Sequence, residues 1–165
     1  MIDEIRPIKE RPSPLLLLLF GLLGWLCATV EVGALHRLPL MGAALPLVWS
    51  AAVQVSWRRG AATGAVFSLV GGIALDALCG HTVYLTPLLL IAVCVYTHLA
   101  ARCLFDHPVT RCLVALPPLA LLALLEGIRS ESARAGLGCL VGGVIVTLLL
   151  LLPLTVRRLR RGARM

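Results

Sequence analysis

The stretch GAATGAVFSLVGGIALDALCG, residues 60–80, decides the fold because small residues recur in it at every fourth position. Four residues advance an α-helix by slightly more than one turn, so these positions lie along one ridge of a helix. Small side chains allow a second helix, from this chain or from a partner, to approach closely. The pattern predicts a packing seam with one acidic anchor, formed by Gly60, Gly64, Ser68, Gly72, Asp76 and Gly80.

The composition of the whole chain places this helix in a membrane. Of 165 residues, 59% are hydrophobic and only 14% are charged, whereas soluble domains carry about 25% charged residues. A soluble fold of this length does not bury so much apolar surface. The sequence therefore predicts an all-α, polytopic integral membrane protein with one helical bundle.

Six apolar stretches are long enough to cross a bilayer, which takes about 20 residues. We predict six spans at 15–35, 38–57, 61–80, 82–104, 109–127 and 135–154. The connections are short, so helices that are neighbours in sequence are expected to be antiparallel neighbours in space. The chain then divides into an N-terminal tail (1–14), a six-span domain (15–156) and a basic C-terminal tail (157–165).

The basic residues predict which side of the membrane each end occupies. Twelve of the fifteen lysines and arginines fall in the two tails and in the connections after spans two and four. The positive-inside rule therefore predicts that both termini are cytoplasmic. Basic tails of this kind bind anionic lipid headgroups, so the net charge of +7 is explained without nucleic acid.

Several polar residues are predicted near the outer ends of the spans. A possible outer-face polar cluster consists of Glu31, Arg37, His81, Glu126 and Arg129. For the two glutamates we consider two interpretations, contact with water at the interface and ion pairing with an arginine. Asp76 lies deeper, where ionisable groups usually face protein. It is predicted to fix a helix contact, with a proton relay or transport role as the alternative.

The chain lacks the residue patterns of familiar enzymes. It contains no HExxH, GxSxG or phosphate-binding GxxxxGK[ST] motif, and Asp76 is the only acid well inside an apolar core. The six cysteines form no CxxC pair and are expected to act as small apolar side chains. Gln54 is predicted to make an interhelical hydrogen bond. We therefore predict no catalytic residues, no metal and no cofactor.

One segment resembles a known family. Gly72-Ile-Ala-Leu-Asp76-Ala-Leu-Cys-Gly80 is similar to the Gly-x-x-x-Asp-x-x-x-Gly pattern of MreD, the bacterial rod-shape-determining membrane protein. The next span, with its Val95-Tyr96 pair, resembles the following helix of that family. The family usually has a further glycine shortly after the motif, where this chain has Tyr84.

The resemblance implies a non-enzymatic role in bacterial cell elongation. It implies a multi-pass protein of the cytoplasmic (inner) membrane that acts in peptidoglycan synthesis and regulation of cell shape. The implied partners are MreC, the glycosyltransferase RodA, a penicillin-binding transpeptidase and, indirectly, MreB. The MreD family is also similar in fold to the substrate-binding subunits of energy-coupling-factor vitamin transporters. A small-solute binding subunit of a transporter is therefore the alternative function, and a scaffold for another membrane complex is a third.

Overall fold

The computed structural model of the chain describes residues 12–33, 45–80, 85–104, 107–129 and 133–162. Within these ranges the chain forms six α-helices and no strand, which confirms the predicted all-α class. The helices are α1 (Pro14–Gly33), α2 (Leu47–Arg59), α3 (Ala61–Leu78), α4 (Leu85–Cys103), α5 (Pro108–Arg129) and α6 (Ala133–Gly162).

Five of the six helices are long and apolar enough to cross a membrane. The exception is α2, whose 13 residues measure about 20 Å at 1.5 Å per residue. A bilayer core is about 30 Å thick. The described part of the chain therefore has the helices of a multi-pass membrane protein, with one shorter helix among them.

Within the described residues, the predicted second span, 38–57, is helical only from Leu47 onward. The helix begins at Leu47, because Leu45 and Pro46 are not helical. A proline disfavours helical geometry in the residue before it but is tolerated at the beginning of a helix. Residues 38–44 of the predicted span lie outside the described residues.

The last helix extends beyond its predicted end at residue 154. α6 continues to Gly162, through four of the arginines that were predicted to belong to a separate C-terminal tail. In the structure, most of the basic tail is thus the continuation of the last helix.

The short helix α2 lies at the centre of the molecule and packs against every other helix. It contributes a run of buried residues between Val48 and Gln54. Nine of its 13 residues are buried, as expected for such an enclosed position. The core residues from other helices that pack with α2 include Ala28, Phe67, Leu75, Leu90, Cys94, Ala115 and Leu119.

Successive helices run in alternating directions. A single residue, Gly60, joins α2 to α3, and its φ of 93° is a conformation that favours glycine. At the same end of the molecule α5 begins beside the end of α2, with the Arg111 guanidinium 5.9 Å from the centre of the Trp57 ring. Helix α6 then returns along α5, and so runs parallel to α2. The contacts that define this return are Gly136 with Ala123 and Gly143 with Leu119.

Candidate functional site

The middle of the predicted seam packs against helices of the same chain. A Cβ atom added at Gly64 would overlap the Ser56 side chain of α2. Farther along α3, Ser68 Oγ lies 2.8 Å from Cys94 Sγ of α4. A Cβ added at Gly72 would lie 2.6 Å from the Cα of Pro87 in α4. The small residues of α3 are therefore covered by α2 and α4.

The two ends of the row do not belong to this packing surface. Gly60 is the residue between α2 and α3, and Gly80 follows α3. Gly80 is exposed, has a φ of 72°, and a Cβ added there would meet no atom within 4 Å. The prediction of one continuous seam is therefore wrong at both ends, because α3 is shorter than the row and its flanking glycines form turns.

Asp76 fixes the beginning of α4. Its side chain is almost completely buried, and its carboxylate accepts hydrogen bonds from the Thr86 backbone N–H at 3.2 Å and from the Thr86 hydroxyl at 2.5 Å. Thr86 is the second residue of α4, where backbone N–H groups have no acceptor within the helix. A carboxylate at this position also interacts favourably with the helix dipole. Asp76 thus caps the helix that follows its own.

Glu31 performs the same task for α2. It is buried, and its Oε2 accepts a hydrogen bond of 2.7 Å from the Val48 backbone N–H. Pro46, the residue at the N-cap position of α2, makes no side-chain capping bond. The Glu31 carboxylate from α1 provides the cap instead. Glu31 is thus a buried helix cap and not an exposed interfacial residue. The ion pair with Arg37 stays a prediction, because Arg37 lies outside the described residues.

The other members of the predicted outer cluster are partly brought together. Glu126 lies close enough to Glu31 for their charges to interact. The Cys79 thiol lies within electrostatic range of both glutamates, of Arg129 and of Asp76. These groups therefore gather at one end of the molecule, opposite the Gly60 turn. His81, like Arg37, lies outside the described residues.

A second close contact was missed in the sequence. On α1, the buried residues are Gly21, Gly24, Ala28 and Glu31. A Cβ added at Gly24 would lie 2.5 Å from the Phe67 carbonyl oxygen and 3.2 Å from the Gly71 nitrogen of α3. The three-four-three spacing of the α1 residues is a helical pattern that was present in the sequence, hidden within a leucine-rich run. It makes α1 a direct neighbour of α3.

The acceptor groups in this site favour structural chemistry. Asp76 and Glu31 direct their oxygens at backbone N–H groups. Among the described residues, no group of three or more His, Cys, Asp or Glu side chains is arranged to hold a metal ion. The arrangement can set where two helices begin and how closely α1, α3 and α4 approach.

No protein-family model, curated protein or solved structure matches this chain. The functional interpretation therefore depends on the residues and contacts described above.

Proposed function

We propose that this protein is a non-enzymatic membrane component of the bacterial cell-elongation complex, with the role that its resemblance to MreD implies. In this role it joins MreC to the peptidoglycan synthases, RodA and a penicillin-binding transpeptidase, and acts on MreB indirectly. It resides in the cytoplasmic membrane and contributes to cell shape through lateral cell-wall growth.

The main support for the proposal is that Gly72 and Asp76 of the motif both contact the beginning of α4. Gly72 lies against the backbone of Pro87, and Asp76 caps α4 through Thr86. Both parts of the Gly-x-x-x-Asp pattern thus serve one purpose, the fixed pairing of α3 with α4. A motif that shapes a helix pair is what an assembly factor needs, since its surface must keep one form to be recognised.

The burial of the motif also indicates where partners bind. Because α2 and α4 cover the small residues of α3, partner helices contact the outward apolar faces of the bundle instead. Helix α1 has such a face, with exposed side chains that include Leu15, Leu18, Leu22 and Trp25. In a membrane such a face meets either lipid or another transmembrane helix.

For the topology we propose six crossings with both termini in the cytoplasm. The alternation of the helices and the basic residues at one end support this orientation. In this topology the region of the predicted second span, 38–57, remains one of the six crossings. A periplasm-dependent reporter such as alkaline phosphatase, fused after residue 82, should be active, and the same reporter after residue 165 should be inactive. The reverse pattern would contradict the orientation.

The function is tested by isolating the protein with its companions. The full chain, carrying an affinity tag and expressed at its native level, is purified in a mild detergent and its companions are identified by mass spectrometry. We expect MreC together with RodA or a transpeptidase, and we expect rod-shaped cells to become round when the protein is depleted. Recovery of transporter ATPases without any cell-wall protein, or normal shape after depletion, would refute the proposal.

The gathering of charges at the outer helix ends favours one alternative, a small-solute binding subunit of a transporter. Glu31 and Glu126 lie within electrostatic range of each other, and Arg129 lies within range of the neighbouring Cys79. Convergent polar groups are typical of solute sites. This alternative predicts that a water-soluble vitamin raises the unfolding temperature of the purified protein. The elongation proposal predicts no such shift with any vitamin of a standard panel.

A further inference from the structure

Two buried polar side chains, Gln54 of α2 and Thr147 of α6, have hydrogen-bonding capacity that the described residues do not meet. Gln54 is 6% exposed and Thr147 is 2% exposed. Among the described residues, the nitrogen and the oxygen of the Gln54 carboxamide have no hydrogen-bond partner. The same is true of Thr147 Oγ1. A buried polar group without a partner destabilises a fold, so two such groups require a physical explanation.

The carbonyl that usually accepts a hydrogen bond from a helical threonine is bonded to another helix at Thr147. A threonine or serine within a helix often donates to the carbonyl four residues earlier, as Thr97 does to Val93 in this chain. For Thr147 that carbonyl belongs to Gly143. It accepts instead a hydrogen bond of 3.3 Å from the Ser50 hydroxyl of α2. The Thr147 hydroxyl is thus the next polar group along an interface that Ser50 already crosses.

Gln54 is the corresponding group on α2. It follows Ser50 by four residues, as Thr147 follows Gly143 by four. Because α2 and α6 run parallel and rise equally per residue, the same step along each helix brings Gln54 and Thr147 to one level. On the next turn of α2, the Arg111 guanidinium lies over the Trp57 ring. This pair lies between Gln54 and the arginine-rich end of α2.

We propose that Gln54 and Thr147 form an internal hydration site, in which a water molecule bridges α2 and α6. The water accepts a hydrogen bond from the Gln54 carboxamide N–H and donates to Gln54 Oε1 and to Thr147 Oγ1. Water suits this site because both residues are neutral and together they present donors and acceptors. Buried waters in proteins typically make about three hydrogen bonds to polar groups of this kind. The inference is independent of the proposed function.

The composition of the chain makes the site unusually easy to observe. Gln54 is the only glutamine and there is no asparagine, so labelling with glutamine that carries ¹⁵N in its side-chain amide gives a single NH₂ group. In the full-length protein in deuterated detergent, we expect a nuclear Overhauser cross-peak between this NH₂ group and water. The Gln54→Met variant identifies the signal by its loss.

The Thr147→Val variant separates a bound water from a direct bond between the two side chains. A water keeps its two hydrogen bonds to the Gln54 carboxamide in this variant, so the cross-peak should persist. If the two side chains bond directly, or if the hydroxyl proton relays the signal, the cross-peak disappears. A cross-peak in both proteins supports the proposal, and its absence from either one overturns it.

Thermal unfolding gives a second, independent measurement. If water satisfies these groups, Thr147→Val and Gln54→Met each remove hydrogen bonds and should lower the unfolding midpoint by about 2–4 °C, the shift expected for 1 kcal/mol in a chain of this size. If the groups are buried dry and unpaired, the apolar side chains should raise the midpoint. A rise in both variants would overturn the proposal.

Discussion

The α1–α2 and α3–α4 junctions achieve the same result across different lengths of chain. In each, a carboxylate two residues before the end of one helix accepts a backbone N–H from the first turn of the next. Asp76 and Thr86 are ten residues apart, whereas Glu31 and Val48 are seventeen apart. The capping chemistry is therefore independent of how long the connection is.

The two junctions differ in where the close helix contact is made. Helix α3 approaches α4, the helix that it caps, with Gly72 against Pro87. Helix α1 caps α2 but approaches α3, with Gly24 against Phe67. A buried acid thus sets where the next helix begins, and a glycine sets which helix packs closely. Helix α3 therefore caps and closely contacts the same helix, α4, whereas α1 caps α2 and makes its close contact with α3.

The largest expected effect comes from filling the two close contacts. Gly72→Leu and Gly24→Leu place a side chain against backbone atoms that cannot move aside easily, so each should lower the free energy of unfolding by about 3 kcal/mol. Unfolding in mixed micelles at increasing SDS measures the loss. Gly33→Leu is the matched control, because a Cβ at that position meets no atom within 4 Å. Equal stability of Gly72→Leu and Gly33→Leu would contradict the described contact.

The next effect compares the two caps directly. Asp76→Ala leaves the N–H and hydroxyl of Thr86 without their acceptor and should lower the free energy of unfolding by about 2 kcal/mol. Glu31→Ala leaves the Val48 N–H and should lower it by about 1 kcal/mol, a typical value for a lost cap.

The controls for the caps are Asp76→Asn and Glu31→Gln, which remove the charge and keep an acceptor oxygen. They should recover most of the loss in the same SDS titration. If Asp76→Asn is as unstable as Asp76→Ala, the charge and not the acceptor stabilises this junction. A Thr86→Val variant combined with Asp76→Ala should then lose less than the sum of the two single changes, because both remove one interaction.

Much of the fold follows from local properties of the sequence. The length and apolar character of five helices predicted their existence, and the central part of the row in residues 60–80 predicted a close contact along α3. The start of α2 at Leu47 could not be read from the apolar run, which continues through Leu45 and Pro46. The proline disfavours helical geometry in the residue before it.

The site was less predictable because its contacts are not local. Small residues at helical spacing indicate that some helix comes close, but they do not identify which one. The pairing of α1 with α3 therefore could not be derived from either segment alone. For Glu31 the sequence left contact with water and an ion pair as alternatives, because a position near a span end is compatible with exposure and with burial. Only the return of α2 toward the end of α1 decides between them.

The smallest effect tests whether the row of small residues is one surface or several. Gly80→Ala adds a methyl group in open space, so its cost is that of a left-handed backbone, about 1 kcal/mol. Asparagine tolerates this conformation better, and Gly80→Asn should lose less than Gly80→Ala in the same SDS titration. If position 80 were packed against another helix, Gly80→Asn would be less stable than Gly80→Ala, because asparagine is the larger residue. If Gly80→Asn is the less stable of the two, the end of the row is a contact surface after all, and the boundary between the turn and the α3–α4 pair lies farther along the chain.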